Sequence, residues 1–165
     1  MLTYRFIPVT RADYPMLQHW LSQPHIGGWW GSPECEIALF KRDLDTGPTD
    51  MRIVWADAPF AYVQDYPAHF WPAPQFAGLA KDARAIDTFL GDPAYLGQGH
   101  GSTYLCQRAT ELTKAGASTI VVDPDPQNTR AIAAYTKAGF TPLEERVCED
   151  GDPVLVMTFT PGPTK

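Results

Sequence analysis

Two features within residues 84–102 could do chemistry. Asp87 stands inside a β-rich run, Arg84-Ala-Ile-Asp-Thr-Phe-Leu90. Aspartate is a poor strand former, so a carboxylate there is either a solvent-face charge or a functional group. Six residues after the run comes Leu96-Gly-Gln-Gly-His-Gly-Ser102, just before a helix-like run from Thr103 to Lys114. Glycine accepts positive φ and lets a ligand come close to the backbone. Successive N–H groups ahead of a helix N-terminus suit a phosphate or pyrophosphate. A plain tight turn fits the same spacing, and the seven residues alone leave both open.

Other groups stand at marked positions. Asp123 ends a β-branched run, Thr119 to Val122, before Pro124, where a turn-forming aspartate is also at home. Asn128 opens a helix as its N-cap, with Ile132 and Tyr135 on the inner face and Gly139 just past its end. A tyrosine at that spacing is ordinarily core. Trp29 and Trp30 are adjacent in a loop, His25-Ile-Gly-Gly-Trp-Trp-Gly31, so at most one of them faces a ligand comfortably. Gln64 and Tyr66 lie in the run from Phe60 to Tyr66, where Asp65 reads as plain solvated charge. Trp71 belongs to a proline-punctuated stretch, residues 67–84, without regular periodicity. A loop that long inside a compact domain is functional or disordered, and its aromatics favour function.

The elements that must hold these groups follow from periodicity and punctuation. Thr3–Pro8 reads as a strand, with Thr10 offering a capping hydroxyl to a helix from Arg11 to about Ser22. Ser32-Pro33 opens a second helix that reaches about Leu44, and Gly47-Pro48 ends it. Met51–Ala56 and Phe60–Tyr66 form a hairpin, and Leu143–Cys148 with Val154–Phe159 a closing one. The order β-α-α-β-β-β-α-β-α-β-β predicts one α/β domain over residues 1–165, a mixed sheet with helices on both faces.

Composition narrows the class. The 165 residues are 44% hydrophobic and 19% charged, which suits a folded domain with a full core. A net charge of −6 without a Lys/Arg cluster argues against a nucleic-acid surface and is compatible with a cationic substrate. No apolar run has membrane-spanning length, and the first residues lack a signal-peptide core, so a cytoplasmic location without membrane attachment is expected. Cys35, Cys106 and Cys148 are dispersed and read as free thiols; no metal is expected.

The strand, glycine loop, helix and strand, followed by Asn128-Thr-Arg-Ala-Ile-Ala-Ala-Tyr-Thr-Lys-Ala-Gly-Phe140, resemble the GCN5-related N-acetyltransferase (GNAT) superfamily. Further pieces are similar to its aminoglycoside 6'-N-acetyltransferases: His19-Trp-Leu, Pro24-His-Ile, Trp29-Trp30-Gly31, Tyr62-Val-Gln-Asp-Tyr66, Arg84–Leu90, Leu96–Gly101 and Asp123-Pro-Asp-Pro-Gln-Asn128. Residues 67–84 depart from the pattern apart from their aromatics. The resemblance implies a mostly antiparallel sheet and acetyl-CoA as cosubstrate. It places CoA along Phe89 and Leu90, on the backbone of Leu96, Gly97, Gln98, Gly99, His100, Gly101 and Ser102, and near Asn128 and Tyr135. It makes Asp87 the base or amine anchor, Tyr135 the acid toward the CoA sulfur, and Asp123 the holder of a second ammonium. Trp29, Trp30, Gln64, Tyr66 and Trp71 would line the acceptor site, where aromatic faces suit sugar rings and ammonium groups.

The expected reaction is direct transfer of acetyl to a primary amine of a polycationic aminosugar in a ternary complex, since no Cys or Ser carries a nucleophile signature. Acylation of a lysine-derived siderophore precursor or another small amine is the second enzymatic reading. A CoA-binding sensor without activity is the third. Whether the protein is a monomer or a homodimer is not written in the chain.

Overall fold

The computed structural model describes residues 3–162; residues 1–2 and 163–165 of the expected single domain lie outside them. The described residues form seven strands: β1 (Arg5–Pro8), β2 (Asp50–Trp55), β3 (Pro59–Pro67), β4 (Arg84–Leu90), β5 (Ile120–Val122), β6 (Phe140–Val147) and β7 (Pro153–Phe159). Four α-helices accompany them: α1 (Tyr14–Leu21), α2 (Pro33–Thr46), α3 (His100–Lys114) and α4 (Thr129–Ala138). The strand order is β1-β2-β3-β4-β5-β7-β6. Pairing is antiparallel for β1–β2, β2–β3, β5–β7 and β6–β7, and parallel for β4–β5. This is the expected mixed, mostly antiparallel sheet.

The chain packs as two compact units. One runs up to Asp65 and adds Asp87–Gln98; the other comprises Tyr66–Ile86 and the chain from Gly99 onward. In the first, Leu17, Trp20 and Leu21 of α1 and Ile37 and Phe40 of α2 meet Met51, Ile53, Tyr62 and Phe89 from three strands. Each such side chain stabilises the fold by about 1.5–3 kcal/mol on burial. Gly91 lets β4 end tightly against this core, because a Cβ there would fall 2.1 Å from the Trp20 indole. In the second, Phe76, Ala83, Ala85, Val121, Val154 and Val156 form the core, with Ala68 beside them.

Three local expectations change. The helix expected from Thr103 begins at His100, so Gly101 and Ser102 lie in its first turn and not in a loop. Left-handed Gly99 (φ 81°) is its N-cap, and the Gly99 carbonyl takes the first helical bond from the Thr103 amide at 3.2 Å. The closing hairpin starts at Phe140 instead of Leu143. Pro142 is tolerated because β6 is an edge strand whose register shifts between Pro142 and Glu144. Asp65 is not a solvated charge; it is 1% exposed, because it shares the inward alternation of Ala61 and Val63 on β3.

Candidate active site

In the first unit the site is built on the middle of β3 and the second half of β4. Tyr62 is fully buried, its ring tilted on Phe40 at 4.8 Å and stacked on Phe89 at 5.3 Å. Its hydroxyl donates to Gln64 Oε1 at 2.6 Å, and Gln64 Nε2 donates to Asp87 Oδ2 at 3.0 Å. Burial first, and then the negative charge of Asp87, push the Tyr62 phenol well above its ordinary range. It therefore stays protonated and donates. That fixes the Gln64 amide with its oxygen toward Tyr62 and its nitrogen toward Asp87. Period-two alternation puts Tyr62 with Gln64 on one side of β3 and Asp87 with Phe89 on one side of β4. The carboxylate on β4 is thus held by a relay whose far end is rooted in core.

The tryptophan pair divides as adjacent residues must. Trp30 packs edge-on against Phe89 (5.0 Å) and Tyr62 (6.4 Å), forming a wall beside the relay. Trp29 is 47% exposed. The loop that carries them is tied to α2, where Glu36 Oε1 accepts the Gly31 amide at 2.9 Å. Burial raises the Glu36 carboxyl above its usual range, and the Gly31 bond partly offsets that. Phe89 has its side chain in the core, so only its backbone can face a ligand. The Leu90 carbonyl already meets His25 Nε2 at 2.7 Å. Half-buried Leu96 closes a 3₁₀ turn, Gly97 is left-handed (φ 72°), and the Gln98 side chain folds back onto the Ala94 carbonyl at 2.6 Å.

The second unit carries the other groups. At the start of α3 the amides of Gly101 and Ser102 precede the first intrahelical bond and belong to the unpaired N–H set of a helix N-terminus. A Cβ on Gly101 would meet nothing, so space is open in front of it, whereas one on Gly99 would lie 3.5 Å from Lys137 Nζ. His100 opens the helix, and the Ser102 hydroxyl turns back to the Gly99 carbonyl at 3.1 Å. Open amides, a helix dipole and a nearby ammonium fit a diphosphate. Asn128 is the N-cap of α4 as expected, its Oδ1 accepting from the Ala131 amide at 3.2 Å. Tyr135 is buried on the inner face of α4, edge-on to Phe140. Tyr66 meets Trp71 edge-on at 5.5 Å, and Phe70 extends that aromatic surface. Asp123 Oδ2 accepts from Gln75 Nε2 at 3.2 Å.

Tyr62 and Gln75 are functional candidates that sequence reasoning missed. Tyr62 looks like any apolar strand residue, and Gln75 sits in a stretch with no pattern. Among the described residues no group of three or more His, Cys, Asp or Glu could hold a metal ion, and no helix is long and apolar enough to cross a membrane.

Residues 9–147 match the acetyltransferase (GNAT) domain family. The chain belongs to that family. This GNAT acetyltransferase is 30% identical, over 90% of its length and 79% of the relative's, to the aminoglycoside N(6')-acetyltransferase type 1 of Klebsiella pneumoniae, and equally so to that of Serratia marcescens. Among solved structures it resembles the aminoglycoside acetyltransferase AAC(6')-Ib bound to paromomycin and acetyl-CoA. That likeness has a TM-score of 0.83 and 28% identity, covering 96% of this chain and 93% of the other. The same enzyme with coenzyme A and kanamycin gives a TM-score of 0.82 at 28% identity, covering 96% and 95%.

The Tyr62–Gln64–Asp87 relay has a direct test in this GNAT acetyltransferase. Tyr62→Phe leaves Gln64 Oε1 without its donor and frees the amide to turn. A lost bond of about 1 kcal/mol corresponds to roughly a fivefold fall in kcat, with coenzyme A affinity near wild type. Steady-state thiol-release kinetics with a calorimetric CoA titration check this; an unchanged kcat removes Tyr62 from the site.

Proposed function

We propose that this acetyltransferase moves acetyl from acetyl-CoA to the 6'-amine of an aminoglycoside antibiotic, by direct transfer in a ternary complex. The observation that carries the reading is the braced carboxylate: Asp87 stands on β4 with Gln64 and Tyr62 behind it. A primary amine is mostly protonated at neutral pH, so the reaction needs a fixed anion to grip the ammonium and accept its proton. Asp87 supplies it. Acetyl-CoA, when bound, supplies the activated thioester carbonyl. The Gly99–Ser102 turn and Lys137 hold its diphosphate, and Tyr135 returns a proton toward the departing sulfur.

Asp123 receives a second ammonium of the acceptor, Trp30 walls the relay from its packed position, and Trp29, Tyr66 and Trp71 offer faces to the sugar rings. Two separate carboxylates favour a polycation over a single amine. Dependence on a metabolic thioester supports a cytoplasmic location.

The test is an acceptor panel read by thiol release. Kanamycin and tobramycin should release CoA thiol, and hydroxylysine should not. Release with hydroxylysine alone would instead favour the siderophore branch, and silence toward every amine would favour a CoA sensor.

A further inference from the structure

Gln75 is buried, at 3% exposed, in the middle of the 3₁₀ turn Pro74–Phe76, yet the chemistry above leaves it without a task. Proline at the start of the turn and fully buried Phe76 at its end fix its backbone. A clamp from β6 fixes it further: Arg146 Nη1 donates to the carbonyls of Gln75 at 2.8 Å and Ala77 at 2.7 Å. The side chain is therefore presented from a braced main chain in an otherwise irregular loop.

Its amide has a defined orientation. Nε2 donates to Asp123 Oδ2 at 3.2 Å. Reversing the amide would set its oxygen against a carboxylate, so the nitrogen, and not the oxygen, meets Asp123. Gln75 Oε1 is buried and has no hydrogen-bond partner among the described residues. Buried amide oxygens are nearly always satisfied in folded proteins, and leaving one bare is costly. An oxygen kept bare on the amide that holds Asp123 is suited to a donor arriving with the substrate.

We propose that Gln75 is a specificity-determining residue, holding Asp123 with its amide nitrogen and offering Oε1 as a second acceptor to the ammonium that Asp123 binds. The inference rests on the reading of Asp123 as an acceptor-binding carboxylate. An alkylammonium carries three N–H donors, so it can bond a carboxylate and an amide oxygen together. A hydroxyl carries one donor and can satisfy only one of them. The pair therefore selects an amino group over a hydroxyl at this place in the acceptor, which is a choice among polyamines rather than among reactions.

The experiment compares Gln75→Met, which keeps an unbranched chain of similar length, with the wild type. The acceptors are kanamycin and methyl 6-amino-6-deoxyglucoside, a sugar with one amine. Gln75→Met should raise KM for kanamycin about tenfold and leave kcat, the KM for acetyl-CoA and the KM for the single-amine sugar near wild type. Equal losses on both acceptors, or none, would overturn the assignment. Gln75→Asn withdraws the amide by one methylene while keeping it polar, and should show the same selective rise if the methionine variant fails to fold. Asp123→Asn separates the two readings. If it raises the kanamycin KM and Gln75→Met does not, only the role of Gln75 fails. If Asp123→Asn changes nothing, the acceptor role of Asp123 is what has failed.

Discussion

Asp87→Asn is expected to lower kcat about a thousandfold, within the range lost with a positioned general base, while calorimetry still finds coenzyme A binding near wild type. The substitution is mild everywhere except in chemistry. Asparagine keeps an oxygen that can accept from Gln64 Nε2, so the relay to Tyr62 survives in the variant. Half-buried Asp87 is not part of the Gly99–Ser102 turn proposed to hold the diphosphate. What disappears is the negative charge proposed to grip an ammonium and the basicity proposed to take its proton. Thermal melting should match the wild type, so a loss of rate cannot be ascribed to unfolding. A kcat close to wild type would remove Asp87 from the proton path and leave the proposed transfer without its base.

The second large effect is expected at the start of α3. Gly99→Val should weaken coenzyme A binding about a hundredfold. Gly99 has φ 81°, a region that a β-branched residue enters only as an outlier, at roughly 1–3 kcal/mol. Relief of that strain requires the N-cap to turn over, and the cap carbonyl is what the Thr103 amide and hydroxyl both hold. The first amides of α3 would then lose their common aim. The added carbons also stand near Lys137 Nζ, on the side where an anion would approach. Affinity from titration calorimetry is the readout; an unchanged Kd would mean that this turn is not the cradle. Gly101 offers an internal control, because it is helical and has open space where its Cβ would go. Gly101→Ala should keep the fold and lose affinity only through crowding of the ligand.

These expectations mark what a sequence makes visible. The order of strands and helices is legible because apolar spacing and punctuation agree along most of the chain, from Ser32-Pro33 at the head of α2 to Gly139 at the end of α4. The glycine loop is legible as chemistry, but its division is not. Three alternating glycines look alike, and only backbone dihedrals separate the left-handed Gly97 and Gly99 from helical Gly101. Asp87 stands out because a carboxylate is rare in mid-strand. Tyr62 does not, because a buried aromatic is what a strand should hold, and its hydroxyl matters only once Gln64 and Asp87 lie beside it. Asp65 misleads in the opposite way: an aspartate between Gln64 and Tyr66 suggests solvent until the alternation of β3 turns it inward. Gln75 is the least visible, since its partners Asp123 and Arg146 are 48 and 71 residues away and its own stretch has no period.

The Arg146 clamp bears on how this enzyme could change what it accepts. The guanidinium grips peptide carbonyls, which every residue type possesses, so the identity of the side chains at the tip of the stretch is not what fastens it. Exposed positions such as Ala77, Ala80 and Lys81 can therefore drift or be shuffled while Gln75 stays where it is. Evolution, or a library confined to those sites, has room to retune the rim without dismantling the anchor beneath it.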